Sequence, residues 1–217
     1  MEKKAGLILA LIAVLAAAPA LTVGAQTTAS CKSCPVASVK ATASQALGPS
    51  DTSQGCSTQT KEGFPVPDPK CTPGAINPTV TLAVLKDSAF RTACIRDCVT
   101  SEAEKSDTYG LYGIPHPKDN EGANQTCELD HLVPLELGGA DTLNNIWPQC
   151  GPNSVTLAKR YFKQKDMVED YLAGQVKAGK MDLAKAQSEI ATDWPQFLSE
   201  ASDFCAKNPK QCGSGEN

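Results

Sequence analysis

Ten cysteines in a chain of 217 residues constrain the fold more than any other feature. All of them follow an N-terminal segment, residues 1–25, that is typical of an export signal. In it, Lys3 and Lys4 precede a short apolar run, and Val23-Gly24-Ala25 supplies small residues for cleavage. An even number of cysteines in an exported chain predicts a framework of disulfides, whose pairing does not follow from spacing alone. We therefore expect a small, disulfide-stapled fold.

A membrane anchor is the alternative interpretation of the N-terminal segment, because the weakly apolar run continues to Leu21. The run is rich in alanine and closes with small residues, which favours cleavage over anchoring. We expect a secreted or periplasmic protein without stable membrane association once the signal peptide is removed.

Cysteine spacing suggests some of the pairings. Cys31 and Cys34 have the CxxC spacing of a redox or zinc site, but no strand–helix context surrounds them, so a structural disulfide is favoured. Cys94 and Cys98 stand about one helical turn apart, too far to bridge each other on a regular helix. We expect each of these two to pair elsewhere, for example with Cys71.

The net charge argues against one class of function. With 20 Lys+Arg against 24 Asp+Glu, the formal net charge is −4, whereas a tight, non-specific nucleic-acid binder has a basic balance. An enzyme that holds a polyanion briefly through a local basic patch remains compatible with this charge. Lys159, Arg160 and Lys163 would form such a patch, and a merely solvated face is the alternative.

Composition divides the mature chain into three parts. Residues 26–70 are rich in Ser, Thr, Ala, Gly and Pro without periodicity, which predicts an irregular segment that contains Cys31, Cys34 and Cys56. Residues 71–205 have a globular composition and suit one domain of ordinary size. Residues 206–217 remain as a C-terminal tail.

The central domain is predicted to be a small α+β unit. A helix should begin at Asn77-Pro78 and run toward Cys94, since proline suits the first helical turn. A strand is expected from Cys127 to Leu135, entering a loop at Gly138-Gly139. The predicted order of elements is therefore a helix, a strand pair, a long helix and further helices.

A long helix is the clearest prediction after this loop. Apolar residues recur at three- and four-residue intervals over residues 157–176, and Gly179 marks the expected end. Asp182 can cap the next helix, and Pro195 then forces a break before a last short one.

One stretch carries residues typical of hydrolytic chemistry. Residues 128–139 read ELDHLVPLELGG, and residues 144–149 read NNIWPQ, so Asp130 stands beside one of only two histidines, His131. Phosphodiester hydrolysis needs a deprotonated water and charge neutralisation at phosphorus. A neutral imidazole supplies the first and a hard divalent cation on oxygen ligands supplies the second. A bridge between Cys127 and Cys150 would clamp both ends of this stretch.

The same stretch resembles the HNH endonucleases, the ββα-metal finger nucleases, and most of all their exported bacterial branch. The resemblance is carried by Asp130-His131, Val133-Pro134-Leu135, Gly138-Gly139 and Asn145-Ile146-Trp147-Pro148. It implies an HNH-like finger with flanking helices, in which Asp130 is a metal ligand and His131 the general base. It also implies that the side chain of Asn145 braces the loop between the strands.

The resemblance leaves one metal ligand to be assigned. The typical motif ends in a histidine or asparagine on the helix, and no histidine follows His131. Asn153 is the preferred candidate, with Asp166 and Glu169 as alternatives. The implied metal is a divalent ion, Mg²⁺ before Mn²⁺, Ca²⁺ or Zn²⁺.

Two further side chains are expected near the site. Glu128 would share the face of Asp130 on a strand and could orient that carboxylate. Lys165 falls on the apolar stripe of the long helix, where it either snorkels outward or faces the cleft and touches a phosphate.

These residues predict an exported, metal-dependent endonuclease that cuts DNA, and possibly RNA, with little sequence specificity. The alternative is a non-catalytic exported binding module that retains the finger as a scaffold. A structural zinc fold would need Cys127 and Cys150 in reduced form, which export disfavours. An inhibitor or immunity partner is not specified by the residues.

Overall fold

The structure of the protein is a computed structural model, which describes residues 55–96 and 102–213. The proposed signal segment, the Cys31–Cys34 pair and Cys98 lie outside the described residues. In the part that is described, no helix is both long and apolar enough to cross a membrane.

Two small hairpins and five helices form the described fold, which confirms the α+β class. In chain order the elements are β1 (Gln59–Lys61), β2 (Phe64–Val66), α1 (Leu82–Leu85), α2 (Glu102–Leu111), β3 (Cys127–His131), β4 (Ile146–Cys150), α3 (Tyr161–Lys177), α4 (Leu183–Asp193) and α5 (Leu198–Lys207). Each hairpin is an antiparallel two-stranded sheet, β1 with β2 and β3 with β4.

The β3–β4 hairpin is the centre of the molecule. Its register pairs Cys127 with Cys150 at one end and His131 with Ile146 at the other. The predicted Cys127–Cys150 disulfide is present and ties the open end of the hairpin. Both strands contact α3, which therefore lies across the face that carries Asp130.

The main hydrophobic core lies beneath α3. The buried apolar side chains that form it come mainly from α1, the loop after β3, α3, α4 and the start of α5. They include Val84, Leu85, Val133, Leu135, Leu137, Val168, Leu172, Val176, Ile190, Trp194 and Ala201. A second cluster surrounds Trp147 and includes Leu132 and Tyr112. Both tryptophans are fully buried.

The described end of the 26–70 segment, which was predicted to be irregular, contains regular structure. Residues 59–66 form the β1–β2 hairpin, whose Phe64 packs edge-on against the rings of Trp194 and Tyr161. The indole of Trp194 also donates a hydrogen bond to the carbonyl of Pro65 at 3.1 Å. Contacts more than 90 residues along the chain thus order a segment that has no local periodicity.

The helix predicted from Asn77-Pro78 toward Cys94 is much shorter than expected. Only α1 is α-helical, and a 3₁₀ turn follows at Thr92–Cys94. The side chain of Asp87 accepts a hydrogen bond from the backbone of Ala89 at 2.8 Å, which favours a turn over continued helix.

Two other boundaries move by a few residues. The predicted strand over 127–135 ends at His131, because the next backbone groups bond to Asn145 instead of to a partner strand. Helix α3 begins at Tyr161, after a 3₁₀ turn at Leu157–Lys159. Its end agrees with the prediction, since Gly179 adopts the left-handed φ of 70° that favours glycine.

The predicted cap of α4 is also confirmed. The Asp182 carboxylate accepts a hydrogen bond from the backbone N–H of Lys185 at 3.1 Å. We expect Asp182→Ala to lower the free energy of unfolding by about 1 kcal/mol, as loss of an N-cap does. Asp203→Ala, an exposed substitution within α5, is the control, and equal effects of the two in denaturant titrations would contradict the capping role.

The other disulfides correct two expectations. Cys71 is bonded to Cys56, across the chain reversal of the β1–β2 hairpin, and so is not the partner of Cys94 or Cys98. Cys205 is bonded to Cys212. This bond ties the first part of the predicted tail to α5, so the domain does not stop at residue 205.

Candidate functional site

The loop that joins β3 to β4 is closed by the side chain of Asn145. Its amide oxygen accepts from the backbone N–H of Val133 at 2.8 Å, and its amide nitrogen donates to the carbonyls of Val133 and Ala140 at 2.8 and 2.9 Å. Asn145 is completely buried. The structure therefore has the bracing contacts that were expected of this side chain.

Gly139 is required for the same closure. A Cβ atom at this position would lie 1.8 Å from the carbonyl oxygen of Val133 and 2.8 Å from the amide nitrogen of Asn145. Backbone passes so close to backbone here that no side chain fits. The second glycine of the Gly-Gly pair thus lets the loop fold tightly beside Asp130 and His131.

Asp130 is a residue of β3, and its carboxylate accepts hydrogen bonds from one side chain of β4 and one side chain of α3. The indole of Trp147 donates to Oδ2 at 3.0 Å. The ammonium of Lys165 lies 3.1 Å from Oδ1 and 2.9 Å from Oδ2. Asp130 is 6% exposed and Lys165 is 0% exposed, so this is a buried ion pair.

The Lys165 ammonium also contacts two other acceptors. It donates to the carbonyl oxygen of His131 at 2.7 Å and to the Glu169 carboxylate one turn along α3. Burial alone would lower the pKa of Lys165, but the charges of Asp130 and Glu169 outweigh burial and raise that pKa above its ordinary value. Lys165 therefore neither snorkels outward nor lines an open cleft in this structure.

His131 belongs to a second buried ion-pair group. Its Nε2 lies 2.8 Å from Oδ1 of Asp141, and the ammonium of Lys105 lies 3.1 Å from Oδ2 of the same carboxylate. His131 is 2% exposed and Asp141 is 3% exposed. The Asp141 carboxylate thus fixes the orientation of the imidazole ring, as a carboxylate partner does in many histidine sites.

Glu128 lies at the outer rim of the same hairpin face. Lys163 bridges Glu128 at 3.4 Å and Asp166 at 2.8 Å, and these two carboxylates raise the pKa of Lys163 against the lowering effect of its partial burial. Tyr109 is held nearby, where burial and then the charge of Glu128 raise its pKa to about 12. Gln149, the register partner of Glu128, has a buried amide without a hydrogen-bond partner among the described residues.

Asn153 does not join this group. It is exposed, in the turn that follows β4, and it takes no part in the hydrogen bonds and ion pairs of Asp130 and His131 described above. Asp166 pairs with Lys163, and Glu169 pairs with Lys165. Of the three candidates for the last metal ligand, only Glu169 shares a neighbour with Asp130.

The residues as they stand do not fit the divalent metal that the resemblance implies. A hard cation needs Asp130 oxygens directed at it, and the buried ammonium of Lys165 already contacts both of them. Within the described part of the chain, no group of three or more His, Cys, Asp or Glu side chains has a metal-binding arrangement. We therefore assign no chemical step to a metal here.

Comparisons of the chain with protein-family models, with curated proteins and with solved structures give no match.

Two residues of the site were missed in the sequence. Asp141 lies two residues after Gly139 and could have been noticed as an acid ten residues after His131. Lys105 lies on α2, whose sequence has no sustained apolar periodicity to predict a helix. Trp147 is fully buried, and its indole hydrogen bond to Asp130 gives this residue a polar role as well.

Proposed function

We propose that the mature chain is an exported, non-catalytic binding module that retains an HNH-like finger as its scaffold. The observation that carries this proposal is the Lys165 ammonium on Asp130. The carboxylate that would hold a metal is instead half of a fully buried ion pair.

The finger itself is supported by the order and bracing of its parts. Strand β3, a loop braced by Asn145, strand β4 and helix α3 follow one another, and α3 packs on both strands. This arrangement agrees with the ββα unit that the sequence resemblance implies. In the present proposal its polar residues hold the hairpin to the helix.

Burial of the acid–histidine pair also favours a structural role. A nucleophilic water and a phosphodiester would both have to reach His131, which is 2% exposed and directs Nε2 to Asp141. A binding role would use a surface away from this centre. One such surface is a recess of about 400 Å³ between the β1–β2 hairpin and the end of α4, lined in part by Lys61, Pro67 and Ala191.

An exported endonuclease acting on DNA or RNA is the second candidate. It is favoured by the pairing of His131 with Asp141, since a carboxylate that orients an imidazole is common in general bases. In that case His131 would accept a proton from water after the centre opens to solvent.

Two measurements on the same preparations separate the candidates. The purified chain should leave plasmid DNA and RNA intact in Mg²⁺, Mn²⁺, Ca²⁺ or Zn²⁺. His131→Ala should lower the free energy of unfolding by about 1–3 kcal/mol, because it removes the buried hydrogen bond to Oδ1 of Asp141.

The other histidine provides the control. His116 is exposed and contacts Ser106 and the ring of Tyr109, so His116→Ala should change stability by less than about 0.5 kcal/mol. The endonuclease would replace the scaffold proposal under two conditions. The wild type would have to cleave nucleic acid in a metal-dependent way, and the His131→Ala variant would have to lose this cleavage while it remains as stable as the wild type.

A further inference from the structure

We propose that Lys165 is a tethered cation that fills a latent metal-ion site made of the Asp130 and Glu169 carboxylates and the His131 carbonyl. This inference rests on the proposed loss of metal chemistry and deepens it by naming what replaces the metal. It predicts that removing the ammonium uncovers a site for a hard divalent cation.

The acceptors around Lys165 are of one chemical kind. Two carboxylates and one backbone carbonyl converge on its nitrogen, from β3 and from the next turn of α3. Oxygen donors of this kind are the ligands that Mg²⁺, Mn²⁺ and Ca²⁺ take in proteins. The set contains two acidic side chains and one backbone carbonyl.

The ammonium satisfies this set fully. Its three N–H groups meet three separate acceptor groups, and no part of Lys165 is exposed. Because like charges repel strongly in a buried site, a divalent ion cannot enter while the ammonium is there. The wild-type chain should therefore need no metal to hold β3 against α3.

Removal of the lysine side chain should make the site favourable for a metal ion. Asp130 and Glu169 would face each other in a buried space without their shared counter-charge, and two buried carboxylates strongly favour a bound cation or a proton. The Trp147 indole still donates to Asp130 and would keep that carboxylate in place. Among the described lysines nearby, Lys105 pairs with Asp141 and Lys163 pairs with Asp166.

The test compares Lys165→Ala with the wild type in thermal unfolding and in Mn²⁺ binding followed by electron paramagnetic resonance. The melting temperature of the wild type should be the same in chelator and in millimolar Mg²⁺, Ca²⁺ or Mn²⁺, with no Mn²⁺ taken up. Lys165→Ala should bind one Mn²⁺ per chain and melt several degrees higher with the cation than in chelator.

Two controls fix the location of the site. The double variant Lys165→Ala/Asp130→Asn should lose the Mn²⁺ and the cation-dependent shift. Lys185→Ala, which removes an exposed lysine from a comparable pair with Glu189, should show neither. A folded Lys165→Ala that takes up no cation, or a wild type that takes up Mn²⁺ at Asp130, overturns the inference.

A measurement on the wild type covers the case in which Lys165→Ala does not fold. In protein labelled with ¹⁵N-lysine, the buried ammonium of Lys165 should give a slowly exchanging NH₃⁺ resonance that is unchanged by Mg²⁺ or chelator. Loss of that resonance on adding Mg²⁺ would show that metal displaces the lysine and would overturn the inference. Nuclease activity of the wild type would count against the proposed function, whereas this resonance tests the tethered cation alone.

Discussion

Lys165→Met should lower the free energy of unfolding by about 3–5 kcal/mol, the usual cost of breaking a buried ion pair from one side. Methionine keeps the length and apolar stem of the lysine but leaves the Asp130 and Glu169 carboxylates buried without their counter-charge. Urea titrations followed by circular dichroism at neutral pH would measure the change.

The matched control is Lys185→Met on α4. Lys185 also pairs with a glutamate four residues later, but its side chain is 62% exposed and the pair spans 3.7 Å. Exposed pairs contribute little, so this variant should stay within about 0.5 kcal/mol of the wild type. Similar losses for both lysines would show that the Lys165 contacts add nothing beyond helix propensity.

Asn145→Ala should cost about 3 kcal/mol or more. It leaves the N–H of Val133 and the carbonyls of Val133 and Ala140 buried without the amide that satisfies them, and each such group costs about 1–3 kcal/mol. Hydrogen exchange should also speed up in the loop between β3 and β4, where the brace is lost.

Asn153→Ala serves as the comparison for this effect. Asn153 is an exposed asparagine only a few residues further along the chain, and its removal should change stability by less than about 0.5 kcal/mol. A folded Asn145→Ala with wild-type stability would mean that water replaces the amide and that the loop is not held by this residue.

The parts of the fold that could be predicted are those with local causes. The cap at Asp182 and the end of α3 near Gly179 each depend on a residue type in a defined backbone position, whereas the brace by Asn145 was implied by the family resemblance. The Cys127–Cys150 bond was also predictable, because both cysteines flank one hairpin. In each case the residues that interact lie within a short segment of the chain.

The parts that could not be predicted depend on distant contacts. The β1–β2 hairpin is ordered by Trp194, and Asp130 meets a lysine 35 residues away. Lys165 was recognised as out of place on an apolar stripe, but its partners come from another element. The sequence therefore indicated Asp130 and Lys165 as residues of the site, but it did not show that their charges form an ion pair.

The hydrogen bond between Trp147 and Asp130 allows the surroundings of Asp130 to be followed by fluorescence. The chain has two tryptophans, both fully buried, and they belong to separate clusters, Trp194 in the core under α3 and Trp147 beside the ion pair. In a Trp194→Phe background the remaining indole would emit from next to Lys165. Its fluorescence spectrum would then report on the hydration and charge of that centre under conditions in which the protein stays folded.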